Sequence, residues 1–296
     1  AFGEKSTPTP AAGTARARDS RIVFVTDRHG PDPSGDRGNQ EVYIMNADGT
    51  GQRRLTNDKG ADANPALSPD GKSIAFTSTR SGGVEIFVMN VDGTGVRQLT
   101  TSASGVLGAL EPAWSPDGKR IAFRSRAPGM DIFVVNLDAT GLMKLTHEAG
   151  GAATPAWSPD GKKIAFSSRR HGKAEIFVMN ADGSNPVRLT VNDAVDHRPA
   201  WSPDGKRIAF HSNRDGNMEI YVMNADGTAQ FRLTRDANED AHPSWSPDGN
   251  RIVFHHRVLG HGQVYTMRPD GSDVTRLTEL SPVAFNGFPN WGRARR

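Results

Sequence analysis

The chain has 296 residues, a formal net charge of +3 and only 35% hydrophobic residues, with 32 glycines and 19 prolines. This length suits one large domain or two small ones, and the turn-forming content favours an all-β protein over a helical core. The absence of cysteine excludes disulfides and thiolate metal sites. The sequence contains no run of about 18 apolar residues, so no membrane span is predicted. Basic residues are spread over repeated positions, so nucleic-acid binding is not expected.

The first segment, residues 1–20, has no apolar periodicity and is rich in Ala, Thr, Pro and Gly. This composition predicts a flexible tail. The segment begins with Ala and resembles the start of a mature chain after signal-peptide cleavage, which favours a periplasmic or secreted protein. A trimmed chain is the alternative interpretation.

A repeat then runs from Arg21 to Thr278, and each unit ends in a Leu-Thr pair. The pairs fall at residues 55–56, 99–100, 145–146, 189–190, 233–234 and 277–278. A period of about 44 residues built from short strands is typical of a β-propeller. Six pairs predict six blades of four antiparallel strands each.

One unit shows the four strands. The first is Pro199–Trp201, which ends in a Ser-Pro-Asp-Gly turn where Pro presets φ and Gly supplies a positive φ. The second and third are residues 206–212 and 219–224, rich in β-branched and aromatic residues. An Asp-Gly turn leads into the fourth, residues 231–234. The tryptophan at the end of the first strand is expected to pack between blades.

The two ends of the repeat complete each other. The first unit begins at Arg21 with a second strand, whereas Phe288–Trp291 is a first strand with no blade after it. We therefore expect the C-terminal strand to pair with the N-terminal blade and close the ring, which removes an exposed sheet edge. The predicted domain is 21–292, followed by a basic tail at 293–296, and we expect a monomer.

The repeated pattern, x-P-x-W-S-P-D-G-K-x-I-A-F, then E-I-(F/Y)-V-M-N-x-D-G, then R-L-T, closely resembles the propeller repeats of the TolB family over residues 21–292. TolB is a periplasmic partner in the Tol–Pal envelope system and carries an α/β domain before its propeller. The resemblance therefore implies a free-standing propeller in the cell envelope. Two positions depart from the pattern: Leu67 replaces Trp, and Ala139 replaces a turn Gly. Related repeats occur in oligopeptidases and oligogalacturonate lyases, so the family leaves function open.

Strand order assigns the Pro-Asp-Gly and Ala-Asp-Gly turns to one face, here the lower face, and the longer loops to the opposite, upper face. The lower turns repeat, so their aspartates are interpreted as turn residues. All nine histidines fall toward the upper face. Variable loops commonly carry binding residues, so the upper face and the channel mouth are the predicted functional surface.

Three repeat positions vary around the ring and define the candidate ligand site. The residues just before the first-strand proline are Asn64, Glu111, Thr154, Arg198, His242 and Phe288. The residues three positions before that proline include Asp62, Asp196 and Asp240. The residues directly after the second-strand Phe include Arg124, His211 and His255. The predicted ligand-binding residues are those just named, without Thr154 and with His197 added. We expect them to rim the channel mouth.

Two functional hypotheses arise from these residues. The first is a non-enzymatic protein that binds a protein or peptide partner at the channel mouth. The second is a metal-assisted polysaccharide lyase or hydrolase at the same place, with His as general base and Arg neutralising a uronate carboxylate. His197, His211, His242 and His255 are the candidate ligands of a divalent metal in that case. No cofactor is expected otherwise, and no G-x-S-x-G, Walker or H-E-x-x-H motif is present.

Overall fold

A computed structural model describes residues 20–28, 39–102, 105–127, 129–258, 261–279 and 284–293. The described chain forms six four-stranded antiparallel sheets, which are the six blades of a β-propeller. Both the fold class and the blade count predicted from the repeat are confirmed. The predicted tails at 1–20 and 293–296 lie outside the described residues, except that the strands include Ser20 and Arg293. None of the described segments is a helix long and apolar enough to cross a membrane.

Blade 1 contains β24 (Asn286–Arg293), β1 (Ser20–Thr26), β2 (Glu41–Asn46) and β3 (Arg53–Arg54), from the inside outward. Blade 2 contains β4 (Asp62–Leu67), β5 (Ser73–Ser78), β6 (Glu85–Asn90) and β7 (Arg97–Gln98). Blade 3 contains β8 (Leu107–Trp114), β9 (Arg120–Ala127), β10 (Ile132–Asn136) and β11 (Met143–Lys144). Blade 4 contains β12 (Ala152–Trp157), β13 (Lys163–Ser168), β14 (Glu175–Asn180) and β15 (Val187–Arg188). Blade 5 contains β16 (Asp196–Trp201), β17 (Arg207–Ser212), β18 (Glu219–Asn224) and β19 (Phe231–Arg232). Blade 6 contains β20 (Glu239–Trp245), β21 (Ile252–Val258), β22 (His261–Met267) and β23 (Thr275–Arg276).

The ring closes as the sequence predicts. The C-terminal strand β24 pairs antiparallel with β1, with Arg21 opposite Gly292 and Ile22 opposite Trp291. The Trp291 indole nitrogen donates to Ser20 Oγ at 3.0 Å. Pairing the last strand with the first converts two unpaired edges into one ladder and fixes the sixfold arrangement.

The Leu-Thr pairs have a local physical cause. In blade 2, Thr100 Oγ1 accepts the backbone N–H of Ile86 at 2.9 Å and donates to Glu85 at 2.6 Å, so it ties the outer strand to the third strand. The same backbone contact to the threonine hydroxyl recurs in all six blades. A buried carboxylate and a buried amide are thereby both satisfied, which makes this pair a fixed part of the blade.

The core lies between blades. Each second strand places a fully buried phenylalanine in an interblade cluster, for example Phe166 beside Phe177. The tryptophans reach the neighbouring blade, where Trp114 Nε1 donates to Ala66 O at 2.9 Å. Their predicted packing role is confirmed. Because this apolar core lies between neighbouring blades, the inner strands are free to differ where they face the central channel.

Candidate functional site

The channel ring consists of the six residues that precede the inner-strand prolines, one from each blade. They are Asn64, Glu111, Thr154, Arg198, His242 and Phe288. Every one has a positive φ, between +49° and +58°, and the register of every inner strand shifts at the same place. The shift is a β-bulge, since the following proline has no N–H to give to the ladder. Non-glycine residues are uncommon in this region of φ and cluster at functional sites.

The channel ring lies at one end of a central cavity of about 870 Å³. The cavity walls continue from the ring to the prolines of the lower turns, including Pro116, Pro159 and Pro203. The cavity therefore extends from the ring toward the lower face. The predicted position of the ring at the upper rim of the channel stays a prediction. The lower turns are structural, but they also form part of the cavity wall.

Arg198 crosses the channel at the level of the ring. It extends from blade 5, and its Nη2 lies 3.1 Å from Glu111 Oε1 on blade 3 and 3.3 Å from Asn64 Oδ1 on blade 2. Its guanidinium carbon lies 5.3 Å from the ring centroid of Phe288 on blade 1. One side chain therefore joins four blades and places in the channel a charged group that is 22% exposed.

Glu111 is the centre of the charged part of the site. It also lies 3.2 Å from Arg124 Nε on β9 and accepts the backbone N–H of Thr154 at 2.9 Å. Burial acts to raise the pKa of Glu111, but attraction to Arg198 and Arg124 outweighs burial and lowers that pKa below its ordinary value. Glu111 is thus ionised and shared between two guanidinium groups.

The other side of the ring is aromatic. The imidazole cluster contains His197, His211, His242 and His255, whose neighbouring rings lie 5.7 Å apart. Phe288 packs edge-on against His242 with centroids 4.6 Å apart, and Phe285 packs against His255 at 5.0 Å. Phe285 was not predicted as a site residue, since it lies outside the inner-strand repeat.

The imidazole cluster is neutral near pH 7. Burial, followed by the nearby charge of Arg198, lowers the pKa of His197 to about 4. Burial likewise lowers the pKa of His255 to about 4 and that of His211 and His242 well below 6.5. Nδ1 of His211 accepts the backbone N–H of His242 at 3.2 Å. Nδ1 of His242 and Nε2 of His255 are buried without a hydrogen-bond partner among the described residues.

Three predicted site residues lie elsewhere. Asp62, Asp196 and Asp240 are at most 1% exposed and do not line the central cavity. Asp62 pairs with Arg80 at 2.7 Å and Asp196 with Arg214 at 3.0 Å, within their own blades. Their predicted position at the channel mouth is therefore wrong. The left-handed residue two positions later in each strand breaks the two-residue alternation, so these two positions do not share a face.

In blade 6 the equivalent pair uses a histidine. His256 Nδ1 lies 2.6 Å from Asp240 Oδ1, and its ring lies 4.8 Å from that of Tyr265. Blades 2 and 5 place an arginine over the corresponding aromatic pair. The hydrogen bond to Asp240 raises the pKa of His256. His256 therefore takes the place of the guanidinium.

Potential metal ligands converge at a different place from the one predicted. Among the described residues, the group whose ligand atoms all lie within 4.8 Å of one another is Asp236, Asp240 and His256. The imidazole cluster does not bring three nitrogen atoms that close; its rings lie side by side. Metal binding by the four predicted histidines stays a prediction.

Comparison with known proteins identifies the fold family. The model of the TolB β-propeller domain matches residues 94–199 and 194–291. The model of the N-terminal β-propeller domain of Tricorn protease matches residues 37–130. The Tol-Pal system protein TolB of Bordetella pertussis is 50% identical over 44 residues, which are 14% of this chain and 10% of that protein. The match thus spans about a tenth of this curated relative.

Solved structures extend the similarity to the whole ring. TolB from Acinetobacter baumannii superposes with a TM-score of 0.80 at 24% identity, covering 93% of this chain and 67% of that chain. Oligogalacturonate lyase from Vibrio parahaemolyticus superposes with a TM-score of 0.58 at 16% identity, covering 82% and 72%. At these identities the likeness concerns the fold alone.

Proposed function

Because this chain belongs to the family of TolB β-propeller domains, we propose that it is a binding protein whose channel ring and imidazole cluster recognise a protein or peptide partner. The observation that carries the proposal is the channel ring itself. Six residues share one backbone conformation and carry six different side chains. A rigid ring of this kind presents an asymmetric set of groups to an asymmetric ligand.

We propose further that the partner belongs to the bacterial cell envelope, and that the protein acts there as a monomer in the periplasm or after secretion. Support comes from the relative named as a Tol-Pal system protein. Recognition would combine the guanidinium and amide groups of Arg198 and Asn64 with the apolar faces of His242 and Phe288. Such a mixture of one charged anchor and aromatic surface is typical of energetic centres in protein interfaces.

The test is capture of Tol–Pal system proteins from envelope extract by the immobilised chain. Replacing Arg198 and His242 together by alanine removes the central charge and one aromatic surface, so we expect capture to fall at least tenfold. Lys206→Ala, an exposed residue beyond the lower turn, is the matched control and should capture normally. Equal capture by the double variant and the wild type would overturn the proposal.

A second function, a metal-assisted uronate lyase, is favoured by one observation. Neutral imidazoles of His197 and His242 lie beside Arg198, as a general base beside a carboxylate clamp would require. Incubation with uronate polymers should then produce an absorbing unsaturated product, and elemental analysis should find a bound divalent metal. Absence of both would remove this candidate.

A further inference from the structure

The strongest unexplained feature of the site is an excess of positive charge. Arg124 and Arg198 share Glu111, and in the described part of the chain no second carboxylate lies within 4.0 Å of either guanidinium. Arg169 adds to this field, since it acts with Arg124 and Arg198 to lower the pKa of His197, whereas Glu111 alone acts to raise it. Two guanidinium groups therefore share one carboxylate, and Arg169 adds further positive charge near His197.

The ion pair of Arg124 is also incomplete. Its Nε lies 3.2 Å from Glu111 Oε2, yet the geometry makes no hydrogen bond, and this buried N–H has no other acceptor among the described residues. A buried donor without an acceptor costs about 1–3 kcal/mol. An added carboxylate at the exposed part of the guanidinium would supply the missing negative charge.

Both guanidinium groups are within reach of a ligand. The side chains of Arg124 and Arg198 are 19% and 22% exposed. Met130, whose side chain contacts Arg124 with 3.5 Å between Nη1 and Sδ, is 39% exposed and adds an apolar surface beside the charge. The rings of His197 and His211 are neutral near pH 7 and do not compete for an anion.

We propose that Arg124 and Arg198 form a carboxylate-binding site and that the partner is an acidic peptide segment, with one carboxylate bound between the two guanidinium groups. Guanidinium binds carboxylate in a planar, two-pronged geometry that lysine or imidazole cannot reproduce. Glu111 holds the two arginines in place when the site is empty of ligand and competes with the ligand for them. This inference deepens the proposed function and depends on it.

The test is fluorescence anisotropy with a labelled hexaglutamate peptide at low ionic strength, with hexaglutamine and hexalysine as control probes. We expect hexaglutamate to bind at least tenfold more tightly than hexaglutamine, and its affinity to fall with added salt. Unlabelled hexagalacturonate serves as competitor, since a sugar acid carries the same carboxylate. Equal affinity for the glutamate and glutamine probes, or tighter binding of hexagalacturonate than of hexaglutamate, would overturn the proposal.

Variants separate this site from general surface charge. Arg124→Gln should weaken hexaglutamate binding about tenfold, whereas Glu111→Gln should strengthen it several-fold by releasing both guanidiniums. Arg126→Gln, an exposed residue on the same strand, should change nothing. If Arg124→Gln does not fold, Arg124→Lys, which keeps the charge, takes its place in the binding measurement. Equal weakening by the Arg124 and Arg126 variants counts against the site.

The two proposals can fail separately. If the variant lacking Arg198 and His242 loses envelope partners while hexaglutamate does not bind the wild type, the carboxylate site is wrong and the binding function stands. If that variant keeps its partners, the binding function fails whatever the peptide result.

Discussion

The two ends of each inner strand respond to sequence variation in opposite ways. At the lower end, five strands run into a Ser-Pro-Asp-Gly turn in which the serine hydroxyl donates to the aspartate at 2.5–2.6 Å. In the channel ring, six strands share a bulge and a positive φ but carry six different side chains. Where residue and geometry repeat together the role is structural; where only the backbone repeats, the side chains are free to recognise a ligand.

Glycine shows the difference most directly. The lower turns need a positive φ, and they place glycine there in five of the six third-to-fourth turns, such as Gly183 at +88°. The channel ring also needs a positive φ, yet none of its six members is glycine. A non-glycine residue in this region costs about 1 kcal/mol or more. The ring keeps that cost at all six positions, which agrees with the proposed use of its side chains in recognition.

The largest effect is expected where the ring carries charge. Glu111→Leu leaves Arg124 and Arg198 facing each other without a counter-ion, so we expect a loss of about 3 kcal/mol in the free energy of unfolding. Urea denaturation measures it. Thr154→Val, at the next ring position, removes a hydrogen bond to Ser167 but no charge, and should cost about 1 kcal/mol. Similar losses for both would contradict a charged centre at Glu111.

The imidazole cluster predicts how stability changes with pH. The pKa of His197 and His255 is about 4 in the folded protein, below the ordinary value of 6.5. The unfolded chain therefore binds more protons between pH 6.5 and 4, and stability must fall as pH falls through that window. Each such group contributes on the order of 1–3 kcal/mol, and thermal denaturation between pH 7 and 4.5 measures the sum.

His256 makes stability depend on pH in the opposite direction. Its hydrogen bond to Asp240 raises its pKa, so its contribution is complete below pH 6.5 and is lost as pH rises through the folded value. His197→Gln should flatten the acid side of the pH profile, whereas His256→Gln should leave that loss in place and lower stability at pH 6. A wild-type profile without any loss below pH 6.5 would show that the cluster is not neutral in the folded protein.

The sequence predicts the fold because every blade repeats the residues that build it. It also finds the ring positions, since a bulge in every inner strand keeps the spacing to the proline constant. It does not predict that Arg198 reaches Glu111 and Asn64, because those contacts cross a closed ring. It misplaces Asp62 and its equivalents because their position at the start of the inner strands does not reveal that each carboxylate is buried against a partner in its own blade.

At the lower end, loss of a repeated turn residue should cost stability and leave recognition intact. Asp204 accepts the Ser202 hydroxyl at 2.6 Å and the Lys206 N–H at 3.1 Å, and the first of these is the main cause of its lowered pKa. Asp204→Ala should reduce the free energy of unfolding by about 1–2 kcal/mol. Asp117→Ala should cost the same, because its turn makes the same contacts. Unequal losses would mean that these turns are not equivalent.

The smallest effect is expected at the one third-to-fourth turn in which the glycine after the aspartate is replaced. Ala139 has a φ of +68°, where the other five blades place glycine, and it makes the same backbone hydrogen bond to Asn136 at 2.9 Å that Gly183 makes to Asn180. Ala139→Gly should therefore raise the thermal midpoint and stabilise the protein by about 0.5–1 kcal/mol, since it removes strain at no loss of contact.

The matched change, Gly183→Ala, should have the opposite effect on stability. A Cβ on Gly183 would lie 2.6 Å from the carbonyl oxygen of Leu145 on the neighbouring blade, so Gly183→Ala should destabilise by more than Ala139→Gly stabilises. Neither change should affect partner capture, since both lie away from the channel ring. If Ala139→Gly lowered stability or weakened capture, a departure from the repeat at the lower face would have to be interpreted as functional, and the contrast between the two ends of the strand would no longer hold.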